Sequence, residues 1–446
     1  MHLPAPRALL FCAFVLPALA ARPMTMVFTG DSIINRRLST YDAPGVDSMV
    51  KLIRDADVAF TNFETLIHDF STPGAAQSGG TYMGSPAFVS DELEWAGFDL
   101  LGLANNHTGD FGQEGLLSTQ RALARSRLVY AGVGANLARA RAPAYLDTKP
   151  GRVALISLSS SFTPASVAGP QRKDLPGRPG LNPLRFTVTY TVDGQTLDTV
   201  KHFAGPRAER KTPDGEVVVD FLNAVFKRGE SLKLTTKPNE SDLAELLASI
   251  RDARLQADWV IVSVHSHENP GHEQRLLPAD FYVTFARAAI DAGADVVVGH
   301  GPHYLKGIEL YHGKPILYSL GNFIFENDLV EFQPAENYDK NDLPGSALPS
   351  DFFTKRTKGE TIGFPADRIY WESVIAEAVY APDRTLTALR LHPVVLGFGQ
   401  SRPQRGRPSP AGPAEARRII GDLAALSAPM GATIVFEDGV GVLKLP

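Results

Sequence analysis

The amino-acid sequence predicts an α/β fold that is layered around a largely buried sheet. Short apolar runs alternate along most of the chain with segments whose apolar residues recur at helical spacing. That alternation favours strands connected by helices. Polar clusters follow directly after the ends of the apolar runs. Because sites in open α/β sheets lie beyond the carboxyl ends of the strands, these clusters predict one shared site at one sheet edge.

Each predicted strand is a short run of apolar, often β-branched residues, and each predicted helix repeats its apolar residues at helical spacing. The helix over 241–254, for example, begins with a Ser241/Glu245 cap. In chain order, strands are predicted at 24–29, 56–62, 99–103, 153–158, 259–264, 295–298, 371–380 and 386–395, and helices at 46–55, 90–96, 113–125, 241–254, 279–292 and 414–426.

The predicted organisation is one main domain over 24–399, a linker over 400–413 and a small C-terminal extension over 414–446. An insertion at about 159–237, rich in Pro, Gly and Thr, interrupts the main domain and predicts a hairpin over 186–203 around Asp193-Gly194. The extension is a helix followed by a hairpin over 433–445. It either packs back on the sheet or forms a small peripheral subdomain, and we favour the subdomain.

The composition is that of an ordinary globular protein. Hydrophobic residues make up 44% and charged residues 21% of the 446 positions, which excludes the disordered and membrane-spanning classes. The length allows two or three domains. A net charge of −5 over this length argues against a nucleic-acid partner. The Arg-rich piece 402–407 is interleaved with Pro and Gly and is interpreted as a solvated linker.

The N-terminus predicts export. Arg7 precedes an apolar run over 8–20 that ends in Ala18-Leu19-Ala20, a pattern typical of a signal peptide over residues 1–20 that is cleaved after Ala20. The location that follows is periplasmic, cell-surface or secreted, with an uncleaved membrane anchor as the alternative. Cys12 is the only cysteine, so the cleaved chain would hold any metal through N and O ligands.

Two histidines, His300 and His303, follow the buried strand predicted at 295–298. Gly301 and Pro302 separate them and exclude a helix, so the pair lies on a tight loop at a strand's carboxyl end. Two imidazoles on a rigid turn suit a divalent metal such as Zn, Mn or Fe. The alternative is a pair of loop histidines with no ligand.

The strand ends together offer a full set of metal ligands. Carboxylates, imidazoles and amide oxygens could hold two divalent metals about 3.5–4 Å apart, which would activate a bridging water. Taken singly, the residues have plainer interpretations as a helix cap, a surface carboxylate, a loop hydrogen-bond pair and a structural histidine. As a set they predict a joint site, which comprises Asp31, Asn62, Glu64, Asn106, His107, His265, His300 and His303.

Six sequence blocks in this order resemble the CapA family of capsule and poly-γ-glutamate biosynthesis proteins, a branch of the calcineurin-like metallophosphoesterase superfamily. The resemblance covers about 26–325 and implies a four-layer α/β/β/α sandwich of the metallophosphoesterase type. One more residue separates His300 from His303 than in typical phosphoesterases. The blocks are Phe28-Thr29-Gly30-Asp31, Asn62-Phe63-Glu64, Ala104-Asn105-Asn106-His107, Val264-His265, Gly299-His300-Gly301-Pro302-His303 and Tyr318-Ser319-Leu320-Gly321-Asn322-Phe323.

The resemblance also implies roles for individual residues. His107 would be the catalytic acid or the group that orients a phosphate. The implied metal ligands are Asp31 and His303 for the first metal, Glu64 as the bridge, and Asn106, His265 and His300 for the second. Additional candidates for the site are Asn62, His267, Glu268 and Asn322.

The function implied by this resemblance is that of a metal-dependent hydrolase of capsule or poly-γ-glutamate biosynthesis. It would act through a metal-activated water on an extracytoplasmic polymer or its anchor. One or two divalent ions (Mn, Fe or Zn) are the expected cofactors. The expected partners are an anionic polymer, or a phosphorylated or peptidic substrate, and a membrane synthase complex. The alternatives are a phosphomonoesterase or nucleotidase, and a non-catalytic component that binds polymer or synthase.

Overall fold

The computed structural model describes residues 22–446, which form a mixed α/β fold with several sheets. The predicted signal peptide over residues 1–20, with Cys12, lies outside the described residues. Within 22–446, no helix has both the length and the apolar character needed to cross a bilayer.

The strands are β1 (Met24–Ile33), β2 (Val58–Phe63), β3 (Leu66–Ile67), β4 (Gly84–Ser85), β5 (Leu100–Gly102), β6 (Val129–Ala131), β7 (Val133–Gly134), β8 (Ala144–Asp147), β9 (Arg152–Ser159), β10 (Gly180–Leu181), β11 (Phe186–Val192), β12 (Glu209–Lys211), β13 (Val217–Phe221), β14 (Ala224–Arg228), β15 (Lys233–Pro238), β16 (Trp259–His265), β17 (Val296–His300), β18 (Leu305–Tyr311), β19 (Lys314–Leu320), β20 (Asn322–Phe325), β21 (Glu372–Tyr380), β22 (Leu386–Val395), β23 (Ser409–Pro410), β24 (Ile434–Glu437) and β25 (Val440–Leu443).

The helices are α1 (Val46–Asp55), α2 (Val89–Ala96), α3 (Gly112–Leu123), α4 (Leu137–Arg141), α5 (Gly194–Ala204), α6 (Glu240–Gln256), α7 (Asp280–Asp291), α8 (Ala335–Asp339), α9 (Pro349–Arg356) and α10 (Pro413–Ser427). The helix predicted at 241–254 is α6, but Asn239 caps it by accepting from the Asp242 backbone N–H at 3.1 Å. Ser241 is already the second residue of α6, and its hydroxyl donates to the Glu245 side chain one turn later at 3.3 Å, so the predicted cap is wrong.

Two large sheets carry the parallel strands that matter for the site. The larger has the order β24-β25-β22-β21-β1-β2-β5-β6, with β20 beside β1 and β23 beside β22. Its strands β1, β2, β5 and β6 are parallel. The second sheet has the order β18-β19-β17-β16-β9-β8, in which β9, β16, β17 and β19 are parallel. The carboxyl ends of β1, β2, β16 and β17 meet at one edge.

Apolar clusters fix how these elements pack. One cluster joins residues of both large sheets, such as Phe28 and Phe60 with Ile261 and Val298. A second lies between α1, α2 and α3 and the larger sheet. A third lies between α6 and α7 and the second sheet. The parallel strands are therefore buried on both faces, which explains why they read as unbroken apolar runs.

The insertion forms a sheet of its own, with the order β12-β13-β14-β11-β15. The hairpin predicted over 186–203 is wrong, because β11 is followed by the helix α5. The Asp193 side chain accepts a hydrogen bond from the Thr196 backbone N–H at 2.8 Å. Asp193 is thus a helix N-cap and not part of a turn between two strands.

The C-terminal helix and hairpin form as predicted and pack back on the larger sheet. Strand β25 pairs with β22, and β24 pairs with β25. Helix α10 places Ile419, Ile420 and Leu423 in the cluster that joins the two sheets. The peripheral subdomain that we favour from the sequence is therefore wrong.

The segment over 400–413 is also tied to the core. Arg405 is buried and its guanidinium donates to Glu360 at 3.0 Å and contacts Asp328. The interpretation of 402–407 as a solvated piece is wrong at Arg405. The boundaries of the predicted domains stay predictions.

Candidate metal centre

Asp31 lies at the centre of the candidate site. It is fully buried and stands opposite Asn62 in the pairing of β1 with β2. Asn62 Nδ2 donates to Asp31 Oδ1 at 2.8 Å, and the Gly301 backbone N–H donates to Oδ2 at 2.9 Å. The carboxylate is therefore held by Asn62 from β2 of the larger sheet and by Gly301, which directly follows β17 of the second sheet.

A first donor group consists of Asp31, His265 and His300. The two histidines are opposite each other in the pairing of β16 with β17. Their Nδ1 atoms are 3.0 Å apart, and Asp31 Oδ1 lies 3.8 Å from Nδ1 of His265 and 3.7 Å from Nδ1 of His300. One donor atom of each residue lies within 4.8 Å of the others.

A second donor group adjoins the first and consists of Glu64, His267 and His303. Glu64 Oε2 lies 3.6 Å from His303 Nδ1, and Glu64 Oε1 lies 3.7 Å from His265 Nε2. His267 Nε2 is 3.0 Å from His265 Nε2. His303 Nδ1 is also 3.6 Å from Asp31 Oδ2, so the two groups are in contact.

These residues fit a divalent cation. Both carboxylate oxygens of Glu64 and the amide oxygen of Asn106 are buried without a hydrogen-bond partner. Two pairs of imidazole nitrogens face each other at 3.0 Å, where at most one proton can lie between them. Buried acceptors without donors are costly. A cation would satisfy them, and the N and O donor set suits Zn, Mn or Fe.

Burial sets the protonation of the cluster. It raises the pKa of Asp31 to about 7, although hydrogen bonds from Gly301 and Asn62 act in the opposite direction. Burial and the neighbouring Asp31 charge raise the pKa of Glu64. Burial lowers the pKa of His300 to about 3 and that of His303 to about 4. The imidazoles are therefore neutral near neutral pH, which is the form that binds metals.

Two of the histidines are held by polar partners outside the donor groups. Ser263 Oγ lies 2.8 Å from His300 Nε2, which leaves Nδ1 facing Asp31. Asn322 Oδ1 lies 2.9 Å from His303 Nδ1, and Asn322 Nδ2 donates to the His303 carbonyl at 3.1 Å. A partner on the nitrogen that does not bind the metal orients an imidazole and increases its basicity. Because the Asn322 oxygen can only accept, it places the proton of His303 on Nδ1 and leaves Nε2 as the nitrogen that could bind a metal.

His107 is held by a residue that the sequence analysis misses, Asp110. The Asp110 Oδ2 atom is 2.7 Å from His107 Nδ1, and it also accepts from the Met83 backbone N–H at 2.8 Å. His107 Nε2 consequently faces Glu64, with 3.8 Å to Oε1. In the sequence, this contact is indicated only by the position of Asp110, a carboxylate three residues after His107 in a loop.

Most of the predicted site residues come together, with one exception. Asn62 and Asn322 each contact a residue of the donor groups, and His267 belongs to the second group. The Glu268 carboxylate instead accepts from three serine hydroxyls, those of Ser160, Ser161 and Ser266. Asn106 Nδ2 donates to the Gly79 carbonyl at 3.1 Å, beside the site. The roles implied for these residues stay predictions.

A cavity of about 320 Å³ opens above the donor groups. His107, His267 and His303 form part of its wall, together with Asn106. Aromatic side chains also line the cavity, among them Tyr304, Phe364 and Tyr370. The donor groups are therefore accessible to a small group of a substrate.

The fold and the site define an α/β protein in which buried carboxylates and histidines from two sheets could hold a metal ion. Residues 25–327 match the family described as bacterial capsule synthesis protein PGA_cap. The chain belongs to this family. The resemblance of the sequence to CapA proteins is confirmed.

Three relatives are similar to this chain, and two of them are named for capsule or PGA biosynthesis. The chain is 39% identical over 435 residues to the uncharacterized protein y4sH of Sinorhizobium fredii, covering 94% of this chain and 93% of that protein. It is 25% identical over 310 residues to the capsule biosynthesis protein CapA of Bacillus anthracis, covering 68% and 60%. It is 29% identical over 229 residues to the PGA biosynthesis protein CapA of Bacillus subtilis, covering 51% and 43%.

Proposed function

We propose that this chain is an exported, metal-dependent hydrolase of capsule or poly-γ-glutamate biosynthesis. Its substrate would be an extracytoplasmic anionic polymer or the anchor of that polymer. The observation that carries the proposal is the contact between two donor groups in which both carboxylate oxygens of Glu64 are buried without the partner that a cation would supply. The signal-peptide pattern over residues 1–20 supports export.

We also propose that the main domain is a four-layer α/β/β/α sandwich of the metallophosphoesterase type. The support is the apolar cluster shared by the two large sheets, with separate clusters beneath α1 to α3 and beneath α6 and α7. This arrangement brings strand ends of both sheets to one edge, where the donor groups lie.

The donor residues and His107 would have different tasks. Asp31, His265 and His300 would hold one ion, and Glu64, His267 and His303 would hold a second where two are bound. A bound divalent ion would lower the pKa of a water and neutralise charge on a substrate oxygen. His107, fixed through Nδ1 by Asp110, presents Nε2 to the site and can transfer a proton there.

Elemental analysis of the protein purified without chelator tests the metal. We expect bound Zn, Mn or Fe in the wild type and a loss of metal in His300→Ala. His312→Ala is the matched control, because His312 is an exposed histidine that lies outside the donor groups. Ser263→Ala changes only the hydroxyl beside His300 and should weaken metal affinity by about 10-fold to 100-fold.

A metal-free wild type, or equal metal content in all variants, would contradict the proposed metal centre. The reaction is tested on the metal-loaded protein with poly-γ-glutamate and with a phosphomonoester. Cleavage of the polymer supports the proposal, and cleavage of the phosphomonoester alone identifies a phosphatase. No cleavage of either by a metal-loaded protein favours a non-catalytic binding component.

A further inference from the structure

Among charged side chains, the lining of the cavity above the donor groups includes a basic residue but no acidic one. Arg356, at the end of α9, is the only Lys or Arg among the residues that line it, and no Asp or Glu lines it. The two buried carboxylates of the site lie below the lining. An anionic group that enters this cavity therefore meets one guanidinium and no carboxylate on its way in.

Arg356 is available for a ligand. Across residues 22–446, no carboxylate lies within ion-pair distance of its guanidinium and no hydrogen bond engages it. The arginines nearby differ, since Arg402 and Arg405 are both paired with Glu360. Helix α9 is anchored through the buried Phe352 and Phe353. The base of the Arg356 side chain is therefore fixed while its charged end stays free.

The helix that carries Arg356 is not part of the region that matches the family. Helix α9 lies after the residues that match the family profile, which end at residue 327. The contribution of α9 to the cavity therefore comes from outside the residues that match the family. Arginine also suits the task, because its planar guanidinium can bind both oxygens of a carboxylate or phosphate at once.

We propose that Arg356 binds an anionic group of the substrate, a carboxylate or a phosphate. This anionic group would neighbour the substrate group that reaches the donor residues. This inference rests on the proposed function of the same site. The substrate class is then a molecule with two neighbouring polar centres. One reaches the donor groups, and the other, negatively charged, is held at the mouth of the cavity by Arg356.

Calorimetric titration of the metal-loaded protein with glutarate and with inorganic phosphate tests this proposal. We expect wild type to bind at least one of them and Arg356→Gln to bind it about 10-fold to 100-fold more weakly. Lys355→Gln removes the same charge from the neighbouring, exposed position of α9 and should stay within about twofold of the wild type. The preferred probe tells a carboxylate substrate from a phosphate substrate.

Three results would overturn the proposal: no binding of either probe by the wild type, equal affinities in wild type and Arg356→Gln, or equal weakening in both variants. Metal content is measured in the same samples. Loss of metal in Arg356→Gln would also overturn it, because Arg356 would then support the centre itself. A metal-free wild type contradicts the proposed function instead, so the two failures are distinguishable.

Discussion

Asp31 is surrounded by groups that favour opposite protonation states. The Gly301 N–H and the Asn62 amide both donate to its oxygens and so favour the carboxylate. Burial favours the neutral acid and is the stronger effect, which raises the pKa of Asp31 to about 7. In the absence of a cation, a proton therefore competes for this carboxylate near neutral pH.

The stability of chelator-treated protein should depend on pH through Asp31. A folded-state pKa above the unfolded value contributes stability at low pH that is lost as the pH rises through the folded pKa. We expect the unfolding free energy of the wild type to fall relative to Asp31→Asn by about 1.4 kcal/mol per pH unit between about pH 4 and pH 7. Urea unfolding at pH 5, 6 and 7 measures this slope.

The control for that slope is the same comparison with metal restored. A bound cation keeps the carboxylate ionised in the folded protein, so the slope should disappear. Parallel curves for wild type and Asp31→Asn after chelation would show that Asp31 is ionised throughout the range, and the prediction would be wrong.

The sequence could predict candidate residues that directly follow apolar strands. His265 and His300 are the last residues of β16 and β17, and Asp31 lies two residues before the end of β1, so hydrophobic patterning indicates their positions. Asp110 could not be found in the same way, because its contact with His107 depends on the shape of a loop. Nor could the sequence decide which of His267 and Glu268 faces the cluster, since both follow β16 within three residues.

At the scale of elements, the turn between β17 and β18 explains how His303 reaches the site. Gly301 has a φ of +115° and His303 a φ of +66°, both in the left-handed region. A Cβ at Gly301 would lie only 2.9 Å from the Ser266 backbone nitrogen. The additional residue between His300 and His303 is thus accommodated by two left-handed conformations, one of which requires glycine.

Gly301→Ala should destabilise the protein and weaken metal binding. Its left-handed conformation costs about 1–2 kcal/mol for alanine, and the contact with Ser266 adds about 1–3 kcal/mol of overpacking. Gly313→Ala is the matched control, since Gly313 has a φ of +73° but open space around its Cβ position. Thermal unfolding and metal titration of both variants measure the difference.

Equal losses of stability in the two glycine variants would mean that the Ser266 contact relaxes without cost. Unchanged metal affinity in Gly301→Ala would separate the conformation of this turn from the position of His303. Either result would contradict the role of Gly301 in placing His303.

Many elements could be predicted from their own residues. Helix α1 has the predicted bounds, and β16 extends the predicted strand by one residue. The failure at Asp193-Gly194 has a local cause. The same dipeptide that favours a two-residue hairpin also offers an aspartate N-cap, and the helical segment after it decides the outcome.

At the scale of the whole molecule, the C-terminal residues complete the main core. Strand β25 extends the larger sheet through β22, and α10 adds buried apolar side chains to the cluster between the sheets. The sequence could not establish this, because the pairing joins segments that are far apart in the chain. Local patterning predicts that a helix and hairpin form but not what they pack against.

Ile420→Ala should therefore destabilise the whole protein. Ile420 is 1% exposed in the cluster shared by the two sheets, and removal of its side chain should cost about 2–5 kcal/mol. Leu255→Ala is the control, because Leu255 is 85% exposed on α6. Calorimetric unfolding should show the main transition of the Ile420→Ala protein at lower temperature.

A main transition unchanged in Ile420→Ala, with a separate early transition, would show that the C-terminal residues unfold independently. That result would restore the peripheral subdomain and contradict the packing described for α10.

The donor residues come from positions as far apart in the chain as Asp31 and His303. No fragment that lacks either end of this span contains the complete set, so the centre is created only when the two large sheets meet. Metal binding would then occur late in folding, after the two sheets have packed together. The ion acquired would then be set by the metals present where folding finishes, which is outside the cytoplasm if the proposed export precedes folding.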